Sequence, residues 1–250
     1  METKKPNVKP IIEIKDLRKS YGNNHVLDGF NMVLYEGENL VIMGKSGSGK
    51  SVMIKCLIGL EEHDSGTIFI MENNINELDR ETLDELRTEV GFLFQGSALY
   101  DSMTVRENLE FPLRRHTKKF GVIKDTTPLV MEALENVGLA HTVNLMPEEL
   151  SGGMKRRVAL ARTLILQPKI ILYDEPTTGL DPITAKEILL LMMSIQKKYN
   201  TSAIIITHDV DCARVISNRM ILLVDGINYI EGTFEELSAS TDPKVQAFFK

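Results

Sequence analysis

Short apolar runs, separated by stretches with helical character, recur along the chain. Four of these runs predict buried strands: NLVIMG (39–44), IILYD (170–174), SAIIIT (202–207) and RMILLVD (219–225). Continuous apolar strands of this kind are typical of a parallel sheet that helices cover on both faces. The pattern therefore predicts an α/β fold built on a parallel sheet.

Two regions depart from this pattern. From Ile11 to Ile70 several short strands are predicted, broken by the turn sequences YGNN, YEGE and HDSG. Between Gly96 and Gln167 the strand runs stop, and TVRENLEFPL, TPLVMEALENVGL and SGGMKRRVALARTLIL all have helical periodicity. We therefore predict a single domain over 1–250, with these parts: an α/β core at about 11–95 and 168–235, a helical subdomain at about 96–167, and a short helical segment at 236–250.

Composition, charge and cysteine spacing limit the classes of protein that fit this sequence. The 250 residues are 43% hydrophobic and 26% charged, which is ordinary globular composition. The net charge of −6 argues against a protein that coats nucleic acid, since such proteins are usually basic. Cys56 and Cys212 lie outside metal-ligand spacing, so we expect two reduced, buried thiols. The polar start METKKPNVKP does not resemble a secretory signal, and the stretch ILLLMMSI (188–195) is too short to span a membrane.

The most specific motif is GKSGSGKS at 44–51, which fits the phosphate-loop pattern GxxxxGK[ST]. A predicted strand enters it and a helical stretch leaves it, as the motif requires. Lys50 would reach the β- and γ-phosphates of ATP, and Ser51 would place its hydroxyl on Mg²⁺. The backbone N–H groups of the loop would wrap the phosphates. Its residues are Gly44, Lys45, Ser46, Gly47, Ser48, Gly49, Lys50 and Ser51.

Acidic and polar residues lie at the end of three short apolar runs, IILYD, GFLF and SAIIIT. Asp174 ends a buried strand and could hold Mg²⁺, while Glu175 could polarise an attacking water. Gln95 follows GFLF and His208 follows SAIIIT, and active groups of parallel sheets collect at such strand ends. The pattern alone leaves a structural and a functional role equally open for Gln95 and His208.

LSGGMKRR, at 150–157, predicts a second anion site. Ser151, Gly152 and Gly153 leave backbone N–H groups open at a helix N-terminus, where the helix dipole favours negative charge. In the basic run that follows, 155–157, a solvated helix face is favoured over an anion patch. One bound ATP needs only one phosphate-binding loop, so the second site could bind the phosphates of an ATP held by another chain.

These motifs, in this order, resemble the nucleotide-binding subunit of an ATP-binding cassette (ABC) transporter over nearly the whole chain. The resemblance implies a P-loop NTPase core of the RecA-like type, an antiparallel β subdomain and an inserted α-helical subdomain. It also implies ATP hydrolysis with Mg²⁺ by two copies that sandwich two ATP molecules head to tail. Met154 stands where many relatives have glutamine, which leaves the backbone donors in place.

The same resemblance assigns roles by position. Ser151, Gly152 and Gly153 would bind the nucleotide of the second copy, and Asp181 would act across the interface between the copies. Tyr21 would stack on adenine, although a packed strand aromatic remains the alternative. The remaining roles concern hydrolysis: Glu175 as the catalytic carboxylate, His208 at the γ-phosphate, Lys50 at the phosphates, and Ser51 and Asp174 around Mg²⁺. Gln95 would touch Mg²⁺ or the attacking water and link the site to the helical subdomain.

A narrower resemblance concerns the transported substrate. QGSALYDSMTVRENLEFPLRRHT (95–117) is similar to the ATPase of Mla-type phospholipid transporters, which work with MCE lipid-binding proteins. This implies transmembrane permease subunits, an MCE-type partner, phospholipid cargo and a peripheral position on the cytoplasmic face of the inner membrane. The alternative is another ABC system, such as a nutrient importer, a lipoprotein extractor or a cell-division complex. A small-molecule kinase has no need for LSGG, and a chromosome ATPase would insert long coiled coils.

Overall fold

The computed structural model describes residues 9–249. Residues 1–8, on which the expectation about a secretory signal largely rests, lie outside the described part, as does residue 250. Two β-sheets and ten α-helices account for most of the described chain. Within residues 9–249, no helix combines the length and the apolar character that a membrane crossing requires.

The first sheet is antiparallel and has four strands in the order β2-β1-β4-β5. Its strands are β1 (Pro10–Tyr21), β2 (Asn24–Tyr35), β4 (Ser65–Ile70) and β5 (Asn73–Asn74). The first two strands have 12 residues each and are longer than the short strands predicted from the sequence. Bulges in their pairing interrupt the alternation of buried and exposed residues, which explains why the pattern gave no long strands.

The second sheet has six strands in the order β10-β9-β3-β8-β7-β6, and all of them except β10 are parallel. Its strands are β3 (Asn39–Met43), β6 (Val90–Leu93), β7 (Ile170–Asp174), β8 (Ser202–Thr207), β9 (Arg219–Val224) and β10 (Ile227–Gly232). Every residue of β3 and β8 is buried, because layers of structure cover both faces of the sheet. The predicted parallel sheet is confirmed.

The helices fall into two groups, on the parallel sheet and in the connection between β6 and β7. Those of the connection are α3 (Val105–Arg115), α4 (Thr117–Phe120), α5 (Thr127–Glu135) and α6 (Gly152–Leu164). The others are α1 (Lys50–Leu57), α2 (Arg80–Arg87), α7 (Pro182–Tyr199), α8 (Val210–Ile216), α9 (Phe234–Ser238) and α10 (Pro243–Phe249). The sequence patterns did not indicate α2, which buries only Leu86.

The core divides at the parallel sheet. Leu40 and Ile42 of β3 face a cluster shared with the antiparallel sheet and α1, while Val41 and Met43 face a cluster shared with the inserted helices. In α10, Val245 is buried in the second of these clusters, so this helix packs on the core. Cys56 and Cys212 are free and buried, which matches the prediction. The fold is the predicted mixed α/β architecture with an antiparallel sheet and a helical subdomain.

The basic run after the LSGG sequence differs from its prediction. Arg156 is only 4% exposed, and its guanidinium donates to the carbonyl oxygen of Phe94 at 2.7 Å. Six residues further along α6, Arg162 donates to the carbonyl oxygens of Ala98 at 2.8 Å and Ser97 at 3.2 Å. The interpretation of 155–157 as a solvated face is therefore wrong for Arg156. Both arginines attach α6 to the segment around Gln95.

Candidate functional site: a phosphate loop at the carboxyl edge of the parallel sheet

Four adjacent strands of the parallel sheet end at one edge, and each is followed by a predicted site residue. The strand register pairs Met43 with Thr207 and Leu93 with Tyr173. Since the next residues along the chain continue past the same edge, the following groups lie side by side there. They are Gly44 after β3, His208 after β8, Asp174 and Glu175 at the end of β7, and Gln95 after β6.

The phosphate loop connects β3 to α1 and depends on two glycines. Gly49, at the N-terminus of α1, has φ 101°, and a Cβ there would lie 2.8 Å from the carbonyl oxygen of Val26. A Cβ on Gly44 would lie 2.4 Å from Ser48 Oγ and 2.9 Å from the carbonyl oxygen of Leu223. Real Cβ atoms do not approach so closely, so any side chain at either position would displace the loop.

Lys50 is buried inside the loop. Its ammonium donates to the carbonyl oxygens of Gly44 at 2.7 Å and Lys45 at 3.0 Å. Burial lowers the pKa of Lys50, and the nearby charges of Glu175 and Asp174 oppose that shift. Among residues 9–249, the buried hydroxyl of Ser48 has no hydrogen-bond partner. A phosphate oxygen would provide the acceptor that this hydroxyl lacks, so the loop fits a nucleotide phosphate.

Asp174 and Ser51 form the part of the site that suits a divalent cation. Burial raises the pKa of the Asp174 carboxyl, the adjacent charge of Glu175 raises it further, and Lys50 and a hydrogen bond from Ser51 oppose the rise. A carboxylate and a hydroxyl in contact are oxygen ligands of the kind that Mg²⁺ prefers. Gln95 lies on the neighbouring strand end with an exposed side chain.

Glu175 has an unusual backbone and two side-chain partners. Its φ is 50°, in the left-handed region that few residues other than glycine adopt. One carboxylate oxygen, Oε1, lies 2.9 Å from Nδ1 of His208, whose side chain is 64% exposed. The other, Oε2, accepts a hydrogen bond from Oγ1 of Thr178 at 3.0 Å. Sequence reasoning missed Thr178, although a hydroxyl three residues after a candidate base was an available signal.

Tyr21 ends β1 and is 48% exposed, as an aromatic that stacks on a ligand would be. Its hydroxyl donates to Glu61, and this bond raises the pKa of Tyr21 to about 12. The ammonium of Lys19 lies 5.1 Å from the ring centroid and covers one side of the ring. Glu61 is 40 residues from Tyr21 in sequence, and no motif pointed to it.

The N-termini of α6 and α7 lie against each other. A Cβ on Gly153 would lie 2.6 Å from Cγ2 of Thr184, so only glycine allows this approach. Ser151 caps α6, accepting from the Met154 N–H at 3.3 Å. Asp181 caps α7 by accepting from the N–H groups of Ile183 and Thr184, and hydrogen bonds with Thr184 are the main cause of its lowered pKa. The second predicted anion site therefore adjoins Asp181.

A phosphate loop with a buried lysine, beside two carboxylates at the edge of a parallel sheet, defines a P-loop nucleotide hydrolase. The family model described as "ABC transporter" matches residues 27–178. The chain belongs to this family of ATP-binding cassettes and is an ATPase that uses ATP with Mg²⁺.

Similar proteins support this assignment. The chain is 41% identical to the "Probable ribonucleotide transport ATP-binding protein mkl" of Mycobacterium leprae, over 95% of the chain and 68% of that protein. It is 40% identical to the "Methionine import ATP-binding protein MetN" of Clostridium tetani, over 86% of the chain and 67% of that protein. The chain thus spans about two thirds of the length of these relatives.

Among solved structures, the chain is similar to the ATP-binding cassette MJ0796, a dimer in a post-hydrolysis state bound to ADP and Pi. The TM-score is 0.80 and the sequences are 33% identical, over 89% of this chain and 98% of the other. The predicted α/β cassette fold is confirmed by this match.

Proposed function

We propose that this chain is the ATP-hydrolysing subunit of a membrane transporter and works as a pair of identical copies. The observation that carries the proposal is that one chain has two candidate phosphate sites, the loop at 44–51 and the N-terminus of α6. In a head-to-tail pair, the Ser151–Gly153 turn of each copy would contact the ATP held by the loop of the other. The dimeric MJ0796 cassette supports this arrangement.

Within each site we assign roles from the geometry described above. The backbone N–H groups of the loop and Lys50 bind the phosphates, and Tyr21 stacks on adenine on the side of its ring opposite Lys19. Ser51, Asp174 and Gln95 would hold Mg²⁺, which, when bound, neutralises charge on the phosphates. Glu175 would take a proton from the attacking water, and His208, whose Nδ1 lies 2.9 Å from Oε1 of Glu175, would contact the γ-phosphate.

Two variants of the full chain test the ATPase proposal. Glu175→Gln keeps the shape of the side chain but removes the base, so we expect ATP binding and an ATP-dependent dimer with very slow turnover. Lys50→Ala should bind ATP weakly. Phosphate release and size-exclusion chromatography with ATP measure these outcomes. Turnover close to that of the unmodified chain in Glu175→Gln would refute the assignment of Glu175 as the base.

A groove beside the Gln95 segment supports docking of a permease. It has a volume of about 1220 Å³ and lies between α2, α3 and the 94–100 segment. Phe94 and Tyr100 line it and are each 43% exposed, and Tyr100 packs on Phe111 with ring centroids 4.8 Å apart. Because Arg156 and Arg162 bind the carbonyl groups of 94–98, movement of α6 would pass to this groove. We propose that a transmembrane permease subunit occupies it.

For the cargo we propose phospholipid, delivered with an MCE-type lipid-binding protein. The support is the similarity of 95–117 to Mla-type ATPases, since this segment contributes Phe111 and Tyr100 to the groove and the nucleotide site is common to all cassettes. The chain would then lie on the cytoplasmic face of the inner membrane, bound through its permease.

The second candidate is an ABC system with another cargo. The names of the similar proteins favour it, because one is described as a probable ribonucleotide transport protein and the other as a methionine import protein. Affinity purification of this chain from its native membranes in mild detergent, followed by mass spectrometry, distinguishes the two. A multi-span permease with an MCE-type protein and phospholipid would support lipid transport. A different permease would refute the cargo and leave the ATPase proposal intact.

A further inference from the structure

Thr178 lies on the loop that connects Glu175 at the end of β7 to Asp181 at the start of α7. Its N–H donates to the carbonyl oxygen of Glu175 at 3.3 Å, and its hydroxyl donates to Oε2 of the same residue at 3.0 Å. The loop therefore folds back so that a partly buried threonine contacts both the backbone and the side chain of Glu175.

The backbone of Glu175 is well supported, but its carboxylate needs a separate support. The N–H of Glu175 donates to the carbonyl oxygen of Ile206 at 2.9 Å, which holds a residue with φ 50° at the strand end. Three side-chain torsions still separate this backbone from the carboxylate oxygens. The position of the carboxylate therefore depends on the groups that bind those oxygens.

The two partners of the carboxylate differ in how firmly they are held. The His208 side chain is 64% exposed, so its contact with Oε1 can be exchanged for one with water or nucleotide. The hydroxyl of Thr178 is fixed by the turn, where the N–H of Leu180 also donates to the carbonyl oxygen of Thr177 at 3.2 Å. Thr178 is thus the more permanent of the two partners.

We propose that Thr178 is a positioning residue for hydrolysis. Its hydroxyl binds Oε2 of Glu175 and thereby leaves Oε1 to accept the proton of the attacking water. In that step the water oxygen bonds to the γ-phosphorus, the bond from phosphorus to the ADP oxygen breaks, and the water proton moves to Oε1. This inference rests on the proposed role of Glu175 as the base.

Two substitutions in the full chain test the role of the hydroxyl. Thr178→Val keeps the branched shape without the hydroxyl, and Thr178→Ser keeps the hydroxyl without the methyl group. A hydrogen bond to a charged group is worth about a tenfold factor or more in a rate, so loss of this one should lower kcat by about tenfold. We expect this loss in Thr178→Val, with KM for ATP and the melting temperature unchanged, and recovery of most of the turnover in Thr178→Ser. In a Glu175→Gln background, Thr178→Val should cause no further loss.

Each contrary result overturns the inference in a different way. Unchanged kcat in Thr178→Val would show that the hydroxyl is dispensable. An equal loss in Thr178→Ser would assign the effect to the methyl group, and a change in KM alone would assign it to ATP binding. Failure of the base assignment is detected separately, by near-normal turnover in Glu175→Gln with Thr178 intact.

Discussion

The two glycines at the start of α6 differ in their surroundings, and this difference predicts opposite effects of one added methyl group. A Cβ on Gly153 would lie 2.6 Å from Cγ2 of Thr184 on α7. A Cβ on Gly152 would have Cδ2 of Leu180 as its nearest contact, at an ordinary 3.9 Å. Gly153→Ala therefore forces the two helices apart, whereas Gly152→Ala does not.

The magnitude follows from the cost of overpacking. An overpacked site typically costs about 1–3 kcal/mol of unfolding free energy, which for a domain of about 250 residues corresponds to a melting temperature about 2–12 °C lower. Thr184 cannot easily turn away, because its hydroxyl is engaged with Asp181. Gly152→Ala should leave the melting temperature equal or slightly higher, since alanine gains about 0.4–1 kcal/mol over glycine where the backbone is helical.

Thermal unfolding of four variants measures this prediction. Thr184→Ser removes Cγ2 and keeps the hydroxyl, so the double variant Gly153→Ala/Thr184→Ser should recover most of the stability lost by Gly153→Ala. ATP turnover separates stability from function, because Gly152→Ala adds a methyl group where we propose that the second copy's phosphate binds. We expect Gly152→Ala to be stable and poorly active.

Two results would refute this reasoning. Equal melting temperatures for Gly152→Ala and Gly153→Ala would show that the contact with Thr184 does not limit the approach of α6 to α7. A double variant no more stable than Gly153→Ala would show that a neighbour other than Cγ2 resists the new methyl group.

Two further predictions concern the nucleotide site. Glu61→Ala removes the acceptor of the Tyr21 hydroxyl, so KM for ATP should rise about threefold with kcat unchanged. Glu62→Ala, at an exposed neighbouring position, serves as the control. An equal KM in the Glu61→Ala and Glu62→Ala variants would contradict the prediction. Burial raises the pKa of Asp174, so its ionised form destabilises the folded chain. This destabilisation is complete above the folded pKa and absent below the unfolded pKa of about 4. Asp174→Asn should therefore melt at a higher temperature than the unmodified chain at neutral pH, and this gain should shrink on acidification. Mg²⁺-dependent turnover should be lost. A lower melting temperature at neutral pH would show that attraction between Asp174 and Lys50 outweighs the cost of burial.

Features encoded by neighbouring residues were predictable from the sequence. The buried strands β3, β7, β8 and β9 are continuous apolar runs, because a strand covered on both faces has no polar side. The phosphate loop is equally local, since glycines, lysine and serine must follow one another for the backbone to wrap a phosphate. Its context between β3 and α1 agrees with the prediction.

Contacts between distant segments were not predictable in this way. The sequence predicts Arg156 to lie on a solvated basic face, yet its guanidinium lies 2.7 Å from the carbonyl oxygen of Phe94, 62 residues away in sequence. The bond from Tyr21 to Glu61 likewise joins residues 40 positions apart. A pattern of apolar and polar residues indicates which side of a helix is buried, but it does not identify the neighbours.

By itself, the sequence determined the parallel strands, the phosphate loop and the order of the residues proposed to bind ATP, because each depends on a short stretch of chain and its local chemistry. The tertiary structure alone decided which polar groups meet. It placed Thr178 and His208 on the two oxygens of Glu175 and pressed Gly153 against Thr184. The physical reason is that such contacts are set by the packing of whole strands and helices, which no local stretch of sequence contains.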